Sequence, residues 1–294
     1  MTNKYRLNNI VRAWEEDRPA VGCFAHADRQ NAIELSTAPY DAVVFEMEHN
    51  PWDILGLQDS LQYLLNRKQI AASGSLAPAV TPMVRIPANG VEKNQSFAKQ
   101  ALDRGVYGVV WPHVGDAEQA YNAVAACRYP RPKTASVYEP AGLRGDGPMA
   151  ACRYWGLTQQ EYYSKADVWP LNPEGEILVL IMIESVRGIT NLDDILQVPG
   201  IGCVLIGEGD LSQELGYPRQ YDHPEVMSAM SNIVESCKKH GIPVGHPHVT
   251  PGNVERVLAE GYRLILAAPA RTYNAATKAR EISARQSPAN GASE

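Results

Sequence analysis

The sequence predicts an α/β protein built as a single TIM (β/α)8 barrel, and three observations carry that expectation. Eight short apolar runs alternate with longer amphipathic stretches, which is the rhythm of βα units. The runs are apolar on both faces, as strands are in a parallel sheet covered by helices. A chain of 294 residues suits one such barrel, a fold that uses about 250. An open doubly wound sheet is the competing arrangement, and the lack of a Gly-x-Gly-x-x-Gly after the first run counts against it.

A helix over 9–16 leads into the first strand, 20–24. Strands follow at 42–45, 82–86, 107–111, 177–183, 203–206, 242–245 and 264–268. Helices are expected over 52–66, 92–104, 116–127, 224–240 and 251–260. Several open with an acid or a proline in the first turn and stop at a glycine, as at Gly105, Gly241 and Gly261. One connection breaks the rhythm. Residues 128–176 are rich in proline and carry Gly142-Leu143-Arg144-Gly145-Asp146-Gly147; a connection this long is a lid, an interface element or a plain insertion. The barrel domain is expected over 1–285, with a small polar tail over 286–294 that frays.

Composition narrows the function classes. The chain is 45% hydrophobic and 20% charged, with 27 Lys and Arg against 33 Asp and Glu and a formal charge of −6. Neither sign forms a block, and the basic stripe of a nucleic-acid binder is missing. The longest apolar run, Ile177–Ile183, is far short of the ~20 residues of a membrane span. Met1-Thr2-Asn3-Lys4-Tyr5 leads into no apolar stretch, so a secretory signal is not expected. The five cysteines are widely spaced without a Cys-x-x-Cys pair, which points to a reducing cytoplasm.

In such a barrel the chemistry sits at the C-terminal ends of the strands. The first strand is followed by His26 and Asp28, and the second by Glu46-Met47-Glu48-His49. The third carries Arg85, and the fourth ends in Trp111-Pro112-His113. Glu184 closes the fifth, Gly207-Glu208-Gly209-Asp210 follows the sixth, and His246-Pro247-His248 the seventh. Glu184 and Asp210 terminate adjacent strands and project into one mouth. Two carboxylates leave most of an octahedral shell to water and a bidentate substrate, the arrangement that suits Mg2+ or Mn2+. His246 and His248 have a zinc-like spacing, and at most one of them is expected to reach the mouth. The turn with Gly209 offers backbone N–H groups to a substrate carboxylate, or is simply a tight βα turn. No lysine falls at a strand end, which argues against Schiff-base chemistry.

Phe45-Glu46-Met47-Glu48-His49, Val84-Arg85, Ala141-Gly142-Leu143-Arg144-Gly145, Ile183-Glu184 and Ile206-Gly207-Glu208-Gly209-Asp210-Leu211-Ser212 together resemble the HpcH/HpaI aldolase family. These are the metal-dependent class II 2-oxo acid aldolases related to the citrate lyase beta chain, and the likeness runs over about 20–277. The resemblance implies a homo-oligomer, from dimer to hexamer, that cleaves a 4-hydroxy-2-oxo acid to pyruvate or a close 2-oxo acid and an aldehyde. It assigns Glu184 and Asp210 to a divalent cation, Mg2+, Mn2+ or Co2+. It assigns Arg85 to the keto oxygen, His49 to acid/base work paired with Glu46, and Asp103 to the site of a neighbouring subunit. Two positions depart from the family pattern. Glu46 replaces an Asp, and Met182 replaces a Gln two residues before the metal Glu. Met182 removes an amide in favour of an apolar, polarizable group, so an apolar or aromatic aldehyde is expected, with Trp111 as a wall. Oxaloacetate decarboxylation and acyl-CoA cleavage use the same enolate chemistry and stay open as alternatives. A barrel that has lost catalysis and only binds is the third.

Overall fold

The structure, a computed structural model, describes residues 6–87, 90–93 and 95–267. The expected tail at 286–294, residue 268 of the last strand and the end of the expected domain lie outside the described residues. The strands are β1 (Ala20–Ala25), β2 (Ala42–Glu46), β3 (Thr81–Arg85), β4 (Gly108–Trp111), β5 (Val168–Trp169), β6 (Ile177–Ile183), β7 (Cys203–Ile206), β8 (Val244–Val249) and β9 (Leu264–Ala267). All pairings are parallel. The order β4-β3-β2-β1-β9-β8-β7-β6 closes through a β4–β6 ladder, so eight strands form the expected barrel. The two-residue β5, not expected from the sequence, pairs with the start of β6.

Alternation along each strand separates two apolar layers. Val44, Met83, Val110, Leu178, Leu180, Met182, Leu205 and Leu266 fill the barrel interior. Val43, Phe45, Val84, Val109, Trp111, Val179, Ile181 and Ile206 pack outward against the helices. Burial of both faces explains why the strands read as unbroken apolar runs.

The lower end of the barrel is plugged. The helix Asn9–Glu15 sends Ile10, Val11 and Ala13 into the interior cluster. Asn8 caps this helix through Oδ1 and donates from Nδ2 to the carbonyls of Tyr107 and Glu176, just before β4 and β6. The 128–176 connection belongs to the same end. Trp155 stacks on Tyr107 at 4.2 Å, and buried Arg128 holds Asp167 at 2.7 Å along with the carbonyl of Pro140. The connection carries its own helices, Met149–Trp155 and Gln159–Lys165, and packs on the outer layer rather than folding over the mouth. No helix among the described residues is long and apolar enough to cross a membrane.

Strand β8 runs beyond its expected end at 245. His246 and Val249 still pair with β9, across a register shift at Pro247; proline has no ladder N–H to give.

Candidate active site

The open end of the barrel is built from what terminates β2, β3, β4, β6 and β7. Register places Glu46 beside Arg85, and the Arg85 Nε donates to Glu46 Oε2 at 2.6 Å. The other oxygen of Glu46 accepts the backbone N–H groups of Glu48 (2.8 Å) and His49 (3.1 Å). That closes a tight turn and brings Glu48 back toward Arg85. The guanidinium Nη1 lies 2.9 Å from Glu48 Oε2, an ion pair whose angles are not those of a hydrogen bond. It also lies 3.7 Å from Met182 Sδ, and the guanidinium carbon is 5.1 Å from the centre of the Phe24 ring. Arg85 is therefore fixed by two acids and packed between two apolar groups.

Across the mouth, Glu184 is buried at the end of β6. Its Oε1 accepts the backbone N–H of His113 at 2.6 Å. Its Oε2 lies 2.1 Å from where a Cβ on residue 207 would be, so only glycine at that position leaves room for the carboxylate. The helix Glu208–Glu214 starts there and carries Asp210 at the rim, while nothing stands within 4 Å of a Cβ on Gly209. His113 holds a left-handed backbone (φ 52°), uncommon outside glycine and a mark of strain at functional positions. Its Nδ1 is 3.6 Å from Glu184 Oε1, and its Nε2 is 3.5 Å from Glu48 Oε1. One ligand atom from each of His113, Glu184 and Asp210 falls within 4.8 Å of the others.

The electrostatics follow from this crowding. Burial pushes the Glu184 carboxyl up to about 7, against the opposing pull of His113, and Glu48 and Asp210 add to the rise. The contact with Glu48 raises His113 to about 9, helped by Glu184 and Asp210. Burial works to raise Glu48 too, but His113 and Arg85 outweigh it and hold the group below the usual carboxylate range. Glu46, Glu48, Glu184 and Asp210 outnumber the two cations set among them, Arg85 and His113. A divalent ion fits that surplus of negative charge.

The residues expected from the sequence divide clearly. Glu46, Arg85, Met182, Glu184, Gly209 and Asp210 gather at this end. His49 stands at its rim, two-thirds exposed, with Nε2 3.7 Å from Glu48 Oε2. The expected pairing of His49 with Glu46 is not formed, because Glu46 is spent on Arg85 and on backbone amides. Trp111 is no wall of the mouth. Its place in the β4 alternation turns it outward, fully buried in the helix-facing layer, and Phe24 with Met182 forms the apolar lining instead. Asp103 lies near the end of the helix Gln95–Arg104, at the plugged end of the barrel, where Arg144 Nη2 donates to it at 3.1 Å; it does not reach this chain's own mouth. The sequence reading passed over Glu48, His113 and Phe24. Phe24 lies within β1, Glu48 two residues past the end of β2, and His113 two residues past the end of β4.

His246 and His248 form a second cluster, outside the barrel. Glu208 is buried, with Oε1 2.6 Å from His248 Nδ1 and Oε2 3.6 Å from His246 Nε2. They border a cavity of about 1010 Å3 between the helices Pro224–His240 and Val254–Glu260. Neither imidazole enters the mouth: residues two apart on a strand share a face, and both rings turn to Glu208.

The fold and the mouth define a barrel with a carboxylate-rich site at the C-terminal ends of its strands. The chain belongs to the HpcH/HpaI aldolase/citrate lyase family, whose model matches residues 20–268. It is 33% identical over 265 residues to the 2-keto-3-deoxy-L-rhamnonate aldolase of Klebsiella pneumoniae, covering 90% of this chain and 87% of that protein. It is 29% identical to the hydroxypyruvate/pyruvate aldolase of Roseobacter denitrificans, over 89% of this chain and 91% of the relative. A solved structure of a family member from Burkholderia cenocepacia superposes with a TM-score of 0.75 at 26% identity, covering 95% of this chain and all of that one. This is an enzyme of the class II aldolase type.

Proposed function

We propose that the enzyme cleaves a 4-hydroxy-2-oxo acid reversibly to pyruvate, or a close 2-oxo acid, and an aldehyde. The observation that carries the reading is the convergence of Glu184 and Asp210 with His113 in the barrel mouth, where Glu48 links His113 to Arg85. These two carboxylates would hold a divalent cation such as Mg2+, Mn2+ or Co2+. Bound there, such an ion supplies Lewis-acid charge to the 2-oxo acid. Arg85, preset by Glu46 and Glu48, aims its guanidinium at the oxygen that gains charge as the C3–C4 bond breaks, so little reorganisation is needed in the transition state. His49, at the rim beside Glu48, takes the proton of the C4 hydroxyl. The bond electrons pass to C3 as an enolate, the aldehyde leaves, and protonation at C3 gives pyruvate. The open space at Gly209 and the backbone N–H groups of that turn receive the substrate carboxylate. Phe24 and Met182 favour an apolar aldehyde half.

The same reading makes the enzyme a homo-oligomer with Asp103 turned to a neighbouring subunit. It also places the enzyme in the cytoplasm, where its five buried, unpaired cysteines suit a reducing medium. The test is pyruvate release from a panel of 4-hydroxy-2-oxo acids, before and after chelation. Turnover should vanish with excess chelator and return with Mn2+. Full activity in excess chelator would overturn the reading, and release of CO2 from oxaloacetate alone would turn it into a decarboxylase.

A further inference from the structure

Two carboxylates complete a site for a hard cation, yet a third donor stands beside them. We infer that His113 is a protein ligand of the ion through Nδ1, that Glu48 holds its Nε2–H, and that this imidazole biases the site toward a first-row transition ion over Mg2+. The inference rests on the metal-dependent reading above and adds the identity of one ligand and the class of ion it selects.

The geometry points that way in three respects. The ring is strung between two acids, with Nε2 3.5 Å from Glu48 Oε1 and Nδ1 3.6 Å from Glu184 Oε1. A histidine that ligates a metal gives its other ring N–H to a carboxylate, which fixes tautomer and orientation; Glu48 stands where that partner is needed, and Arg85 fixes Glu48 in turn. The Nδ1 side faces Glu184, and one ligand atom from each of His113, Glu184 and Asp210 lies within 4.8 Å of the others. The backbone is committed as well. His113 sits at φ 52°, with its own N–H donated to Glu184 and the following Val114 N–H donated to the Met182 carbonyl at 3.2 Å. A rotatable surface histidine has no such tethers. Oxygen-only sites suit Mg2+, whereas an imidazole favours transition ions.

A proton carrier in the same place would show the same contacts without ligation, so the test reads the metal directly. Mn2+ is bound to the metal-free wild-type enzyme and to His113→Asn, and pulsed EPR records nitrogen coupling from an imidazole. Asn tolerates a left-handed backbone, so this variant is expected to fold, and circular dichroism checks it. His246→Gln and His248→Gln serve as controls. Nitrogen coupling should be present in wild type and both controls and absent in His113→Asn. By calorimetry, His113→Asn should weaken Co2+ binding by about 10- to 100-fold and Glu48→Gln by a similar factor, with a far smaller effect on Mg2+. Mn2+ bound without imidazole coupling, or coupling that survives His113→Asn, overturns the inference and leaves the two-carboxylate reading standing. If Mn2+ and Co2+ bind wild type no better than Glu184→Gln, the underlying reading fails with it.

Discussion

Two clusters of glutamate and histidine meet at the turn after β7, which gives Asp210 to the one inside the barrel mouth and Glu208 to the one outside it. In the outer cluster a single acid, Glu208, meets two imidazoles, so its charge is answered locally. In the inner one His113 and Arg85 meet Glu46, Glu48, Glu184 and Asp210, and negative charge is left over. Both clusters set histidine against a buried glutamate, Glu208 in one and Glu184 in the other. What differs is the balance, and an unbalanced buried cluster is costly unless a ligand completes it. The inner cluster is therefore the one suited to chemistry, and the outer one to holding the helix Glu208–Glu214 in place.

Matched substitutions break that comparison most sharply. Glu184→Gln keeps the shape and should lower turnover by roughly 10²–10³ or more while abolishing tight Mn2+ binding. Glu208→Gln should leave Mn2+ binding within a few-fold. It should instead cost stability, on the order of 1–3 kcal/mol for a disturbed buried partner, read by urea unfolding. Equal losses of Mn2+ affinity in the two variants would erase the distinction.

Gly207→Ala comes next. Its Cβ would fall 2.1 Å from Glu184 Oε2, so the carboxylate must move or the turn must open. The expected cost is about 1–3 kcal/mol of overpacking, together with weaker Mn2+ binding. Gly209→Ala meets nothing within 4 Å and should be nearly neutral for folding. Its effect should fall on KM for the 2-oxo acid.

The fold was legible because burial on both faces writes each strand as an apolar run, and the ends of those runs located Arg85, Glu184 and Asp210 without any coordinates. Side-chain direction was not legible to the same degree. Trp111 looked like a lining residue because it ends a strand, but alternation sends it outward, and its inward neighbour is Val110. Glu46 looked like a partner for His49, yet register sets it beside Arg85, a nearer and permanently charged partner. His113 was hidden for another reason. Its position depends on a left-handed backbone that no periodicity announces. The two-residue β5 was missed because its apolar signal is too short to stand out.

Opposite pH responses sharpen the comparison further. In the metal-free protein His113 sits at about 9, raised by Glu48 first. Its stabilising contribution is complete below the unfolded imidazole value of about 6.5 and is lost as pH rises through 9. Burial lowers His246, against the pull of Glu208, with His248, Arg256 and Glu260 also acting on it. Its contribution is complete above about 6.5 and is lost as the pH falls below that value. Urea midpoints of metal-free wild type, His113→Asn and His246→Gln at pH 5, 7 and 9.5 separate the two. His113→Asn should flatten the alkaline fall and His246→Gln the acid one. Because Glu184 at about 7 also titrates in the rising direction, the comparison is made as wild type minus variant. Two parallel profiles would show that the clusters do not differ in charge balance.

The smallest expected effect concerns which aldehyde fits. Met182 lies inside the barrel with its sulfur 3.7 Å from Arg85 Nη1, and the Phe24 ring faces the same guanidinium, whereas Trp111 is one layer outside. Met182→Gln restores a hydrogen-bonding amide at nearly constant volume, so it should shift kcat/KM toward hydroxylated aldehydes by roughly tenfold, the scale of one polar or methylene contact. Trp111→Phe should leave that ratio unchanged and lower only stability, since it removes bulk from the packed helix-facing layer. If Trp111→Phe moved the preference while Met182→Gln did not, the apolar lining would have to be sought beyond this end of the barrel, and the assignment of β4 alternation to aldehyde selection would reverse.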